Sequence, residues 1–544
     1  MTDMSSRSTR LLALLLILFL GSGCAALIYE IVWFQMLSLI VGSSAISLGV
    51  VLGTFMGGMC LGSLLLPRYV NISRHPLRLY ALLEGGIAVC GILILFGLPI
   101  AGRFYVAVGS GGFGGLLING FFCALCLLVP TVFMGATLPA VARWVEATPR
   151  GVSWLGFFYG GNITGAVFGC LLTGFYLLRA HDVTYATFTA VAINIAVALI
   201  AFGLAGSAHY TPPIVETSGS TAIAAVPSTG NGRGWVYLTI ALSGLTALGA
   251  EVLWTRLLSL LLGATTYTFS LILAAILAGL GIGSSIGAFA GRSSPDPRRA
   301  LGLCQAGLMV AIAWGAWSVV SALPVWPVNP ILASTPSSLF EIDFVRCLWV
   351  VLPAAILWGM SFPLALAAVA TGPQDPASLV GRVYAANTVG GIIGAVFTSL
   401  VLLPWKGTMW GQRTLIIIAG LSALAVLLPP MSSGARRVRF SLRMSLTTIG
   451  AAVVAILAGL AVSRPSGLLV GYGRLAAVWL GHTGEFIYVG EGMNSTMAVS
   501  RLDNGVLNYH NAGKVQASSE PQDMRLQRML GHITTLVPAH MRNV

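Results

Sequence analysis

The chain has 544 residues, 56% of them hydrophobic and only 8% charged. A soluble protein carries about a quarter charged residues, so this composition, with a mean hydropathy of +0.89, excludes that class and leaves a polytopic helical protein of the lipid bilayer. The net charge of +13 does not point to nucleic acid, because arginines stand singly or in short groups between apolar spans, with no basic block interleaved with aromatics.

The N-terminus, Arg7 and Arg10 followed by LLALLLILFLGSGC, imitates a signal peptide. The apolar run continues past Cys24 to Ile40, which predicts an uncleaved first helix instead. Apolar spans follow one another near 11–41, 44–66, 79–101, 113–140, 155–178 and 183–205. A Pro/Ser/Thr/Gly-rich stretch then has a linker's composition. Six more spans lie near 235–262, 266–289, 300–323, 343–370, 381–404 and 413–429. All eight cysteines fall in or beside apolar spans, and Cys123-x-x-Cys126 within FFCALCLLV reads as two small helix residues, so neither a disulfide framework nor a metal site is expected.

The two sets of spans are repeats. An offset of 221 maps Ser22, Gly23, Glu30, Trp33, Gly58 and Gly62 onto Ser243, Gly244, Glu251, Trp254, Gly279 and Gly283. The same offset maps Glu84 onto Gln305. At an offset of 225, Tyr159, Asn162, Gly165 and Gly169 match Tyr384, Asn387, Gly390 and Gly394. Six spans per half preserve orientation, which predicts a parallel 6+6 repeat of the kind that relates the halves of major facilitator transporters. The organisation expected is a first repeat at 1–206, a linker at 207–234, a second repeat at 235–430, a basic loop and thirteenth helix at 431–463, and a tail at 464–544.

Counting loop charges gives sixteen arginines on the N-terminal side against Arg103, Arg179, Lys406 and Arg413 on the other. That places the N-terminus and linker in the cytoplasm of a multi-pass inner (cell) membrane protein, and the tail outside. In the tail, TMAVSRL alternates, Asp503-Asn504-Gly505 is a turn and VLNYH resumes extended character, which predicts a β-rich module at about 485–517. PQDMRLQRMLGHITTLV then reads as an amphipathic helix near 520–536.

The chemistry-bearing candidates are few. A carboxylate at mid-membrane costs about 2.5–3.5 kcal/mol on insertion scales, so Glu30, Glu84 and Glu251 are candidate cation-binding or proton-coupling groups. The alternative is that each is protonated or bonded to a neighbouring helix. Trp33 and Trp254 share a helix face with the glutamates and either stack on a bound cation or pack the core. Tyr159, Asn162, Tyr384 and Asn387 are either ligands or interhelical glue. Arg256, one turn beyond Glu251, is a possible neutraliser of it.

The two Glu-x-x-Trp repeats followed by this tail resemble bacterial proteins that fuse a transporter-like, major facilitator-like membrane domain to a spermidine synthase-like domain. In the tail the resemblance rests on AGKVQ ending at Gln516, then Asp523, Gln527 and His532 in that order. It implies polyamine biosynthesis by aminopropyl transfer, with decarboxylated S-adenosylmethionine as the nucleotide and Gln516, Asp523 and Gln527 near substrate. The nucleotide-binding Rossmann domain of that transferase family has no counterpart before Val544, so no cofactor and no independent aminopropyltransferase activity are expected of this chain. A separate Rossmann-type catalytic domain is then the implied partner. Two other readings stand beside this one: a transporter of a small cationic metabolite such as a polyamine, and a membrane scaffold for a separate catalytic subunit.

Overall fold

Apolar chain in hydrocarbon must satisfy its backbone internally, and here it does so as helices. The computed structural model describes residues 2–41, 45–71, 73–108, 112–144, 149–207, 231–326, 335–370, 376–427, 442–482, 484–492 and 495–536. The first half is α1 (Thr2–Val41), α2 (Ala45–Tyr69), α3 (Pro76–Val108), α4 (Gly112–Ala142), α5 (Pro149–Leu172) and α6 (Val183–Ser207). The second is α7 (Asn231–Leu262), α8 (Thr266–Ser293), α9 (Pro297–Trp317), α10 (Pro336–Val369), α11 (Pro376–Phe397) and α12 (Leu403–Leu427), followed by α13 (Leu442–Ala461). Among the described residues, ten segments are long and apolar enough to cross a membrane. Most of the expected linker and the basic loop fall outside the described residues.

The halves repeat in their packing as well as their order. In the first, α2 packs on α4, α1 on α5 and α6, and α3 on α4 and α6; in the second, α8 packs on α10, α7 on α11 and α12, and α9 on α10 and α12. Glycines make these approaches possible. A Cβ at Gly165 would stand 1.8 Å from the Leu20 carbonyl oxygen, and one at Gly390 would stand 1.7 Å from that of Ala241, the same contact one repeat later. The halves join along two seams, α2 against α11 and α5 against α8. Among the described residues, α1 and α7 share no extensive contact between these seams.

Two features carried no sequence signal. α5 runs on through a π turn, Thr173–Leu177, and α11 through another, Thr398–Leu402, at equivalent places in the repeat. Such turns cluster at functional sites because they displace the helix register locally.

α13 lies along α9 and α12 and brings the Val462 carbonyl to Arg413 Nη2, which donates to it at 2.9 Å. A short helix, α14 (Gly467–Tyr472), then packs on a four-stranded antiparallel sheet, β1 (Glu485–Glu491), β2 (Thr496–Arg501), β3 (Leu507–Asn511) and β4 (Lys514–Ser518), in that spatial order. The Asp503-Asn504-Gly505 turn joins β2 to β3 with Gly505 at φ 81°, a conformation that favours glycine. α15 (Pro521–Leu536) follows. The β-rich module and its helix therefore occur where the alternation placed them.

This module is fastened to the end of the bundle opposite the start of α1. Arg256 Nη2 on α7 donates to the Gly492 carbonyl at 2.5 Å, the Ser495 carbonyl at 3.2 Å and Thr496 Oγ1 at 3.1 Å. Glu491 accepts from Thr408 N at 2.5 Å and Thr408 Oγ1 at 2.8 Å, beside Gly407 at φ 76°. Arg474 pairs with Asp343 of α10 and donates to the Leu262 carbonyl at 2.6 Å. Arg346 of α10, itself buried, also pairs with Asp343 at 3.6 Å, so Arg256 and Arg346 add two charges towards the sparse side of the loop count, both held within the protein.

Candidate functional site

Glu30 and Glu251 occupy equivalent places on α1 and α7, the helices that open each half. Each is partly accessible although set deep in the bundle, and neither accepts a hydrogen bond from a described residue. The two carboxylates lie within coulombic range of each other. Glu30 opens on a small void of about 10 Å³, with Trp33, Phe34, Val51, Phe55, Leu127 and Phe269 around it. Phe34 of α1 stacks on Phe269 of α8 at 5.6 Å and so closes one side of it across the two halves.

Glu84 on α3 is placed differently. It is fully buried, accepting from Ser22 Oγ of α1 at 2.5 Å and from Asn194 Nδ2 of α6 at 2.7 Å. Ser22 and Asn194 also line a larger cavity of about 80 Å³. Since one water needs about 10–15 Å³ on this measure, that is room for five to eight water-sized groups. Tyr159, Asn162 and Tyr384 line the same cavity, with Ala26, Met59, Thr137 and others. Ser22, Ala26 and Glu30 recur every four residues and so form one stripe of α1. The equivalent of Glu84, Gln305, is buried and donates from Nε2 to Ser361 Oγ at 2.9 Å.

The tryptophans lie in the core. Trp33 is 1% exposed and stacks on Tyr29 at 4.8 Å, and its Nε1 has no partner among the described residues. Trp254 is fully buried and donates from Nε1 to Gln412 Oε1 at 3.4 Å. Asn162 donates to the Phe19 carbonyl at 3.3 Å, binding α5 to α1. Asn387 backs onto Gly244 and is not part of the cavity lining. Tyr159 meets Phe362 of the other half at 4.8 Å between ring centres, and Tyr384 OH reaches Met59 Sδ at 3.5 Å. Arg256 turns its guanidinium to the module, as described above.

In the tail, Asp523 accepts from Ser518 Oγ at 2.5 Å and Gln527 Nε2 donates to the Ser518 carbonyl at 3.4 Å. These bonds fold α15 over the end of β4, while Gln516 is exposed on that strand. His510 is buried between Ser500 Oγ at 2.8 Å and the Gly471 carbonyl at 3.0 Å, and burial pushes its imidazole below its usual value. Among the described residues, no three His, Cys, Asp or Glu side chains gather at metal-ligand spacing. Sequence reasoning missed Asn194, although a lone asparagine within AVAINIAVALI is the kind of signal that a polar group in an apolar span provides.

No protein-family model matches the chain, and no curated protein matches it. Solved structures do. A bacterial homologue of the iron transporter ferroportin, in an outward-facing state, superposes with a TM-score of 0.50 at 15% identity, covering 76% of this chain and 98% of that one. The E. coli fucose:proton symporter gives 0.46 at 15% identity over 76% and 97%, and a proton:xylose symporter 0.48 at 12% over 76% and 94%. At such identities a likeness speaks for fold alone, and the ferroportin homologue carries it. The chain is a multi-pass membrane protein that shares its helical fold with the bacterial ferroportin homologue and carries a small C-terminal sheet.

Proposed function

We propose that the chain is an alternating-access transporter of a small organic cation, with Glu30 and Glu251 as its cation-binding carboxylates. The carrying observation is that these two groups, related by the repeat and within coulombic range, are partly accessible and accept no hydrogen bond from any described residue. Two unpaired carboxylates inside a membrane domain are costly unless a cation compensates them. A diamine or polyamine carries a charge at each end of a flexible stem and so can pair with two carboxylates at once. Arg256 Nη2, five residues beyond Glu251, is committed to the module. Exchange between the two faces of the membrane proceeds by rocking of one half against the other about the α2–α11 and α5–α8 seams. The charge count favours an N-terminus in the bacterial cytoplasm and a module outside. The test is flux of labelled putrescine and spermidine in cells carrying the wild type, Glu30→Gln or Glu251→Gln. Loss of most flux in both variants is expected; equal flux in all three refutes the reading.

A second reading concerns the tail alone. The four-stranded meander followed by a helix, with Asp523 and Gln527 meeting at Ser518, supports a spermidine synthase-like entrance module that docks a separate Rossmann-type domain. Decarboxylated S-adenosylmethionine would then be bound by that partner. Micromolar binding of this nucleotide by the purified chain alone is the result that would contradict it.

A further inference from the structure

The cavity beside Glu84 holds chemistry that the Glu30–Glu251 pair does not use. We infer that Glu84 is a proton-binding switch whose state is presented to the cavity by the side-chain amide of Asn194, so that protonation and cation binding oppose each other there. The cation half of this statement rests on the transporter reading above; the switch itself does not.

An ionised carboxylate can only accept hydrogen bonds, so Asn194 must turn its NH2 group towards it. That is the arrangement observed, with Nδ2 2.7 Å from Glu84 Oε2. It leaves Asn194 Oδ1 with no partner among the described residues, although the residue is only 1% exposed and lines the cavity. A buried acceptor in that position is costly and invites a donor from the cavity's occupant. An ammonium group is such a donor, and the hydroxyls of Ser22, Tyr159 and Tyr384 can supply further acceptors around it.

Protonation reverses the arrangement. A proton from solvent forms an O–H bond at Oε2, and no other covalent bond changes. That O–H must now donate, so the amide rotates to receive it on Oδ1. The NH2 group then becomes the group left to the cavity, where it repels an ammonium. Ser22 can keep its bond to Oε1 in both states. The ionisable groups that face Glu84 are Tyr29 from α1 and Tyr80 from α3; α6 contributes only Asn194. The second half shows what the switch looks like when fixed. Its Gln305 is an amide that cannot titrate, held to Ser361, so a glutamine fits this position in the same fold.

The test uses the full chain in lipid nanodiscs, with putrescine as probe. Calorimetry in buffers of different ionisation enthalpy should show wild-type binding weakening by up to about tenfold per pH unit on acidification, with about one proton released on binding. Glu84→Gln should bind weakly at every pH and release no proton. Asn194→Leu should lose the pH dependence of binding. Infrared difference spectra between acid and alkaline pH should show a carboxylic-acid band that Glu84→Gln removes, accompanied by a side-chain amide shift that Asn194→Leu removes. Wild-type pH dependence retained in Glu84→Gln, or no infrared band assignable to Glu84, overturns the switch. If the wild type binds no putrescine at any pH, the transporter reading for this cation fails, and the infrared titration alone decides the switch.

Discussion

Replacing Arg256 by alanine should loosen the C-terminal module. Among the described residues, Nη2 of the guanidinium makes three contacts at the β1–β2 connection, to Gly492 O, Ser495 O and Thr496 Oγ1. A hydrogen bond to a charged group contributes about 1.5–3 kcal/mol. One nitrogen cannot serve three acceptors at full strength, and the site is partly exposed, so the cluster is taken as about 2–4 kcal/mol rather than three full bonds. Since 1.4 kcal/mol is a factor of ten, the undocked population should rise by roughly 30- to 1,000-fold. Hydrogen exchange reads this out at peptides covering Thr408 and Glu491, whose mutual bonds exist only while the module is docked. Arg501→Ala, on an exposed side chain of β2, is the control and should not move it. Exchange in Arg256→Ala within about twofold of wild type would mean that docking does not depend on this arginine. A rise in cation binding in the same variant would show that Arg256 had been neutralising Glu251 after all.

The remaining predictions concern the repeat, the module and the tryptophans. Gly165→Ala and Gly390→Ala should each destabilise by about 1–3 kcal/mol, because each Cβ would strike a backbone oxygen of the facing helix; Gly203→Ala, with nothing within 4 Å, should not, and thermal unfolding of the detergent-purified protein compares the three. His510 has a folded value below its ordinary 6.5, so the module should be most stable above that pH. It should lose stability as pH falls through 6.5, where the unfolded chain takes up the proton first. His510→Gln should remove that slope in fluorescence-monitored unfolding. Trp33→Phe deletes a buried donor that has no partner among the described residues, whereas Trp254→Phe strands Gln412 Oε1. The second should therefore be the more destabilising in the same thermal assay, by about 1–3 kcal/mol; equal costs would contradict the assignment.

The spans and the duplication were legible because both are carried by many residues at once. A constant offset linking Ser22, Gly23, Glu30 and Trp33 to Ser243, Gly244, Glu251 and Trp254 survives any error in one helix boundary. The tail's strands were legible for a local reason, period-two alternation on either side of Asp503-Asn504-Gly505. Spacing could not tell what each helix face meets. Glu30 and Trp33 are about 60° apart around α1 and border the same small void, but spacing did not show that the indole also packs on Tyr29. Arg256 was weighed only against its neighbour Glu251, since partners in the β1–β2 connection lie more than 200 residues away and leave no trace in local sequence. The π turns at Thr173 and Thr398 depend on a shift of hydrogen bonding that apolar periodicity does not encode.

The way the module is held bears on how the protein can work. Its described fastenings come from Arg256 and Leu262 on α7, Asp343 on α10 and Thr408 on α12, all in the second half. The two halves meet along α2–α11 and α5–α8, and neither seam contributes one of those groups. A rocking motion about the seams therefore carries the module with the second half and breaks none of its bonds. The same geometry ties it to the proposed site, because Arg256 is five residues beyond Glu251 on one rigid helix. A partner that gripped the module would then act on α7, α10 and α12 together, and so on the equilibrium between the two facing states. Pulling the module away would instead release the arginine beside the second carboxylate. Losing the arginine and freeing it should thus affect cation flux differently, and comparing Arg256→Ala with a chain ending after α13, which keeps Arg256 but not the module, separates them: the scheme fails if the two changes alter putrescine flux identically.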